Sequence, residues 1–222
     1  MCHMSCIIFA AKHLNREEVA GKRLIEVGSY DVNGSVRPLL SHWKPAEYLG
    51  VDIKNGPGVD VVCNAEDIVK KFGAETFDIV ISTELMEHVK DWRRVISNFK
   101  NICRTNGFIL ITTRSYGYPV HSYPYDYWRY EPEDLKEIFS DCDMIALERD
   151  FEAPGVFMKV RKPLEFSEKD LSKFQLYSMF AGKRIQELTG SELQGINFVM
   201  LAIKGSLRNF LYQAYRWMQS RI

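Results

Sequence analysis

The chain has 222 residues, 46% of them apolar, with 29 basic and 29 acidic side chains that cancel to a formal net charge of zero. A single domain with a full core fits that make-up. Charge balance excludes the basic excess of most nucleic-acid binders, so no nucleic-acid partner is expected. No apolar run reaches the roughly 18–20 residues that span a bilayer.

The N-terminal stretch lacks the basic flank and the apolar core of a signal peptide. Five cysteines without a paired framework favour a reducing compartment, and a cytoplasmic location is expected. Cys2-His3-x-x-Cys6 has no second ligand pair, so it does not read as structural zinc, and no metal site is expected.

Asn15 with Glu18 three residues on forms a capping box, which predicts a short helix to Ala20. A strand is predicted over 23–27, a glycine turn follows, and a helix runs over about 35–41. Strands are predicted at 47–51 and 59–62, then a helix at 66–72 whose acidic first turn suits the helix dipole. Residues 77–82 form an apolar run suited to a central parallel strand.

The helix at 91–103 has Val95, Ile96, Phe99, Ile102 and Cys103 on one face. A strand at 108–113, a helix from Pro132 to Phe139 and strands at 143–149 and 196–204 complete the reading. Alternating strand and helix over 23–113 implies a doubly wound parallel α/β sheet with helices on both faces. Such sheets bind ligands beyond the carboxyl ends of their strands, where Glu26, Asp52, Asn64, Thr83 and Glu84 lie.

A dinucleotide site needs glycines in the pattern G-x-G-x-x-G, but Tyr30 and Asn33 stand at its second and third places. S-adenosylmethionine carries a cationic sulfonium and no phosphate, so the acidic Glu26 is welcome. Asp52 can take both ribose hydroxyls with its two oxygens. Asp67, or a backbone N–H near Glu66, can read the adenine edge.

Glu26-x-Gly28 followed by Asn33-Gly34, then Asp52, then Asn64-Ala65-Glu66-Asp67 and Phe77-Asp78-x-Val80, together resemble a class I S-adenosylmethionine-dependent methyltransferase. The segment from Glu84 to His88 and the Arg104–Gly107 turn are similar to that superfamily as well. The resemblance implies a Rossmann-like seven-stranded sheet, mostly parallel with an antiparallel last strand, for which 196–204 is the candidate. It implies S-adenosylmethionine as donor, with Gly28, Asn33 and Gly34 at the cofactor turn.

Residues 115–130 hold six of the eleven tyrosines, with Trp128 and His121. Long irregular segments are usually functional, and aromatics with polar tips suit a small-molecule pocket. His121 and His88 are the candidate bases for an acceptor hydroxyl, with Asp126 orienting His121 or binding the acceptor. Tyr123, Tyr127, Trp128 and Arg129 would shape the pocket. The segment from His121 to Arg129 resembles one in superfamily members, some of which act on sugars.

One domain over 1–222 is expected, with an acceptor-side segment at 114–130 and a helical elaboration at 152–193. Phe174, Tyr177, Ser178, Phe180 and Ala181 would form its apolar face. The amphipathic tail at 206–222 could dock on the domain or on a second copy as a homodimer. O- or N-methylation of a small-molecule or sugar-type acceptor is the leading reading. The alternatives are a non-catalytic S-adenosylmethionine-binding module and a nicotinamide-dependent enzyme.

Overall fold

A computed structural model describes residues 3–122 and 124–190, with Met200 and Ile203. The chain opens with helix α1 (Met4–His13) and the short α2 (Arg16–Val19), capped reciprocally by Asn15 and Glu18 as the sequence predicts. Strand β1 (Arg23–Val27) leads through the glycine turn to α3 (Arg37–His42). Next come β2 (Glu47–Asp52), β3 (Val61–Val62) and α4 (Ile68–Phe72), the last entered through a 3-10 turn, Ala65–Asp67.

Strand β4 (Phe77–Thr83) is apolar on both faces, as a central parallel strand must be. Helix α5 (Trp92–Ile102) starts where the Asp91 side chain accepts the Arg94 N–H. Its predicted face, Val95, Ile96, Phe99 and Ile102, is fully buried. Strand β5 (Cys103–Arg114) follows, then β6 (Trp128–Arg129), α6 (Pro132–Ile138) and β7 (Asp143–Arg149).

The main sheet has seven strands in the order β3-β2-β1-β4-β5-β8-β7, where β8 is Gly155–Arg161. Strands β1 to β5 run parallel, while β8 runs antiparallel between β5 and β7. One core lies against α4, α5 and α6, and a second against α1 and α3. The expected doubly wound architecture is present. Among the described residues no helix is long and apolar enough to cross a membrane.

Two expectations are corrected. The antiparallel strand is Gly155–Arg161, not 196–204; there only Met200 and Ile203 are described, and both are helical. Lys159 hides the strand in the sequence. Its ammonium is buried, donating to the His13 carbonyl at 2.7 Å and pairing with Glu18 at 2.5 Å.

The expected helix over Phe174–Ala181 is instead strand β9 (Leu176–Ser178), paired with β10 (Lys183–Ile185) and with β6. Leu176, Ser178 and Phe180 are buried at a spacing of two, which is a strand's period. The described part of the 152–193 elaboration is therefore β rather than helical. The amphipathic tail at 206–222 lies outside the described residues.

Lys159→Ala is expected to lower unfolding free energy by about 3 kcal/mol, because it strands a carboxylate beside a buried strand. Arg161→Ala, which breaks a half-exposed pair with Asp143, should change it by under about 0.5 kcal/mol. Urea denaturation of the two variants checks the contrast, and equal losses would remove Lys159 from the sheet.

Candidate active site

Parallel pairing brings the carboxyl ends of β1, β2 and β4 to one edge. The turn after β1 is pinned there: the Gly28 and Ser29 N–H groups donate to the Val51 carbonyl at 2.9 and 3.1 Å. Gly28 has a φ of 84°, and a Cβ on it would sit 3.0 Å from the Leu85 Cβ. Glycine is required on both counts. Gly34 closes the turn, its N–H donating to Asp31 at 2.8 Å, and Asn33 beside it is exposed.

Asp52 ends β2 with one carboxylate oxygen accepting the Tyr30 N–H at 3.3 Å and the other the Lys54 N–H at 3.0 Å. Two backbone donors hold its plane and leave lone pairs on both oxygens for a ligand. Ile53, next in the chain, is 64% exposed. A large open apolar side chain beside a braced carboxylate suits the flat ring of a nucleoside. Ile53 was missed in the sequence, where its place right after the strand-end acid is the available signal.

Glu26 is almost fully buried and accepts the Tyr48 hydroxyl at 2.8 Å. Burial raises its carboxyl to about 7, against the Tyr48 hydrogen bond and the field of Arg37. The 64–67 turn is occupied by its own contacts. The Asn64 side chain accepts the Glu66 N–H, the Ala65 carbonyl accepts from Asn98, and the Glu66 carbonyl from Arg94. Asp67 pairs with Arg94 at 3.0 Å.

Thr83 and Glu84 end β4, and both are buried. Glu84 holds a left-handed φ of 55° and pairs with Arg114, which also pairs with Asp150 at 3.0 Å. Burial first, and then Glu87, raise the Glu84 carboxyl well above its ordinary value. The Glu84 side chain faces Arg114, and its backbone N–H donates to the Thr112 carbonyl at 2.9 Å. Arg114 and Asp150 carry no sequence signal beyond a charge at a strand end.

The chain after β5 folds around Asp126. Its carboxylate is fully buried and takes Arg129 in a bidentate grip at 2.5 and 2.9 Å. It also accepts the His121 N–H at 3.0 Å and lies 3.0 Å from His121 Nδ1. Burial would raise the Asp126 carboxyl, but Arg129 and His121 prevail and hold it well below the usual range.

His121 Nε2 lies 3.0 Å from His88 Nε2, and His88 Nδ1 lies 2.6 Å from the Tyr125 carbonyl. Burial holds the His88 imidazole below its ordinary pKa, so it is neutral near pH 7. The three residues singled out for chemistry thus meet. Glu87 joins them: its Oε1 is 3.8 Å from both Nε2 atoms, while its Oε2 accepts the Thr113 hydroxyl at 2.9 Å. Burial opposes ionisation of Glu87, while His88 and His121 lower its pKa. Glu87 was not singled out in the sequence, where a carboxylate beside His88 just past an apolar strand was the signal.

Trp128 is buried with its indole N–H donating to the Val89 carbonyl at 3.0 Å, and Arg129 is buried on Asp126. Tyr127 is half-buried against Phe180, with ring centroids 5.5 Å apart. Tyr123 lies outside the described residues. Arg129 also borders a cleft with Tyr116, Glu131, Tyr177 and Arg184.

Over residues 4–192 the chain matches the profile of a family described as methyltransferase domain. No curated protein sequence matches it. Many solved structures share the fold. A Mesorhizobium loti S-adenosylmethionine-dependent methyltransferase aligns at 14% identity and a TM-score of 0.55, covering 70% of this chain and 96% of that one.

Burkholderia thailandensis 1,6-didemethyltoxoflavin-N1-methyltransferase, with 1,6-didemethyltoxoflavin and S-adenosylhomocysteine bound, aligns at 13% identity and 0.57, covering 72% and 76%. Haemonchus contortus phosphoethanolamine N-methyltransferase 2, in complex with S-adenosyl-L-methionine, aligns at 17% and 0.53, covering 72% and 52%.

Glu26 makes stability depend on pH. Between about 4.5 and about 7 the native carboxyl keeps a proton that the unfolded chain has lost, so unfolding free energy falls as pH rises through that window. The loss is on the order of 3 kcal/mol. Glu26→Gln should remove that slope and exceed the parent in stability at pH 8, in urea melts from pH 4 to 8 (chosen conditions, about one unit beyond the window). Parallel curves for the two proteins would contradict the raised carboxyl.

Proposed function

The chain belongs to the methyltransferase domain family, the class I S-adenosylmethionine-dependent methyltransferases, and from that premise we propose that it methylates a small-molecule or sugar-type acceptor. O- or N-methylation is the reaction. One observation carries the reading. Leu85, one residue past Glu84, packs on Gly28, so the donor turn and the loop bearing His88 share a wall.

Asp52 takes the ribose hydroxyls, with Ile53 beside the adenine. Gly28, Asn33 and Gly34 border the methionine end, and Glu26, once ionised above its raised pKa of about 7, sets a negative field behind the sulfonium. Asn64, Ala65, Glu66 and Asp67 edge the adenine as a turn whose shape Asn98 and Arg94 hold. Thr83 and Glu84 form the floor.

Methyl transfer is an in-line displacement by an acceptor lone pair on an activated donor. The protein supplies proximity at about 3–3.5 Å, alignment and a dry site. Activation of the acceptor falls to the cluster of His88, His121 and Asp126, at the end of the strand that carries Thr83 and Glu84. Tyr127 borders the acceptor, and Trp128 and Arg129 support it.

Calorimetry with S-adenosylhomocysteine is expected to give one site per chain. Asp52→Ala should weaken it by about 100-fold or more, two charge-assisted hydrogen bonds being lost. An unchanged affinity would remove Asp52 from the site. His121→Ala should leave that affinity within about twofold while lowering labelled-methyl incorporation into a metabolite extract by about 100-fold or more. No incorporation by the parent chain would favour a binding module without turnover.

A further inference from the structure

We propose that Glu87, His88 and His121 bind a divalent transition-metal cation of the zinc class. Three acceptor atoms converge there. Glu87 Oε1, His88 Nε2 and His121 Nε2 lie within 4.8 Å of one another, at separations of 3.0, 3.8 and 3.8 Å. A point about 2.1 Å from all three exists at the centre of that triangle, which is a zinc–nitrogen bond length.

The partners behind the cluster set which ring nitrogens carry hydrogen. The Tyr125 carbonyl can only accept, so His88 Nδ1 donates to it and His88 Nε2 presents a lone pair. The Asp126 carboxylate lies 3.0 Å from His121 Nδ1, off the hydrogen-bond direction, and its charge favours hydrogen on that nitrogen, which leaves His121 Nε2 bare. A carbonyl on one imidazole and a carboxylate on the other is the outer shell that metal-bound histidines carry.

Glu87 supplies the independent observation. Its Oε1 is buried without a hydrogen-bond partner, while its Oε2 is held by Thr113. A proton shared between the imidazoles would fit their 3.0 Å separation, but at 3.8 Å Glu87 Oε1 is out of its reach. One cation satisfies all three atoms. Two imidazoles and one carboxylate suit zinc, iron or cobalt rather than calcium or magnesium. Three protein ligands leave a coordination position open, as in catalytic sites. The His88 side chain is 21% exposed against 5% for His121, so the opening lies on the His88 side.

This function rests on the methyl-transfer reading and narrows it to oxygen. An amine bound to the cation would give up the lone pair that must attack, whereas a bound hydroxyl loses its proton and keeps lone pairs. The oxygen then forms a bond to the methyl carbon as the carbon–sulfur bond breaks and its electron pair returns to sulfur. The hydroxyl proton passes to solvent. The products are a methyl ether, S-adenosylhomocysteine and a proton. His88 and His121 serve as ligands in this scheme rather than as bases.

The test is a Co²⁺ titration of the chelator-treated full chain, followed by visible absorption and calorimetry. S-adenosylhomocysteine binding and thermal melting serve as fold controls. One Co²⁺ per chain is expected, weakened about 100-fold or more by Glu87→Gln and by His121→Ala, with S-adenosylhomocysteine affinity kept. Glu87→Gln preserves shape and decides the matter if His121→Ala fails to fold.

No Co²⁺ binding at millimolar concentration, unchanged affinity in Glu87→Gln, or sulfur-to-cobalt absorption from the terminal cysteines would overturn the site. Co²⁺ binding that persists without S-adenosylhomocysteine binding would support the cation site and overturn the donor reading instead.

Discussion

The segment between β5 and α6 depends on one buried ion pair, Asp126 with Arg129. Between β5 and α6 the chain has little secondary structure among its described residues, so ladder hydrogen bonds cannot shape it. Arg129 does that work. Its guanidinium grips Asp126 and also donates to the Tyr118 and Pro119 carbonyls, closing the segment on itself. Asp126 in turn accepts the His121 backbone N–H and lies 3.0 Å from its ring Nδ1. A buried charge is tolerable only when paired and hydrogen-bonded, and here that requirement sets the position of an imidazole.

The carboxyl edge of the parallel strands follows a different logic. Parallel strands bring backbone groups to one edge, and the turn after β1 reaches the end of β2 through backbone hydrogen bonds, so little depends on side-chain identity except Gly28 and Asp52. Glu84 holds a left-handed backbone between the strand and the loop that carries Glu87 and His88. Its carboxylate is taken by Arg114, which also lies 4.3 Å from the Tyr118 ring and so ties the strained joint to the acceptor segment.

Local signals made most of the parallel half legible. The capping box at Asn15, the apolar run of β4, the face of α5 and the Pro132 helix start each depend on neighbours a few residues away. What escaped depends on distant partners. Gly155–Arg161 is paired along its length with β5 and β7, and distant Glu18 neutralises the Lys159 that breaks its apolar pattern. The residues 174–181 fit a helical and a strand period alike, and pairing with Trp128 and Arg129 decides between them. At the site, the acid at the end of β2 was readable by position, whereas the pairing of His88 with His121 is a product of the fold.

The central claim is that the donor sulfur faces the cluster of Glu87, His88 and His121. A crystal structure of the full chain with S-adenosylhomocysteine measures this directly. The account predicts ribose on Asp52, adenine beside Ile53, and the open side of the sulfur directed at that cluster. A sulfur directed instead toward the cleft of Tyr116, Glu131 and Arg184 would contradict it.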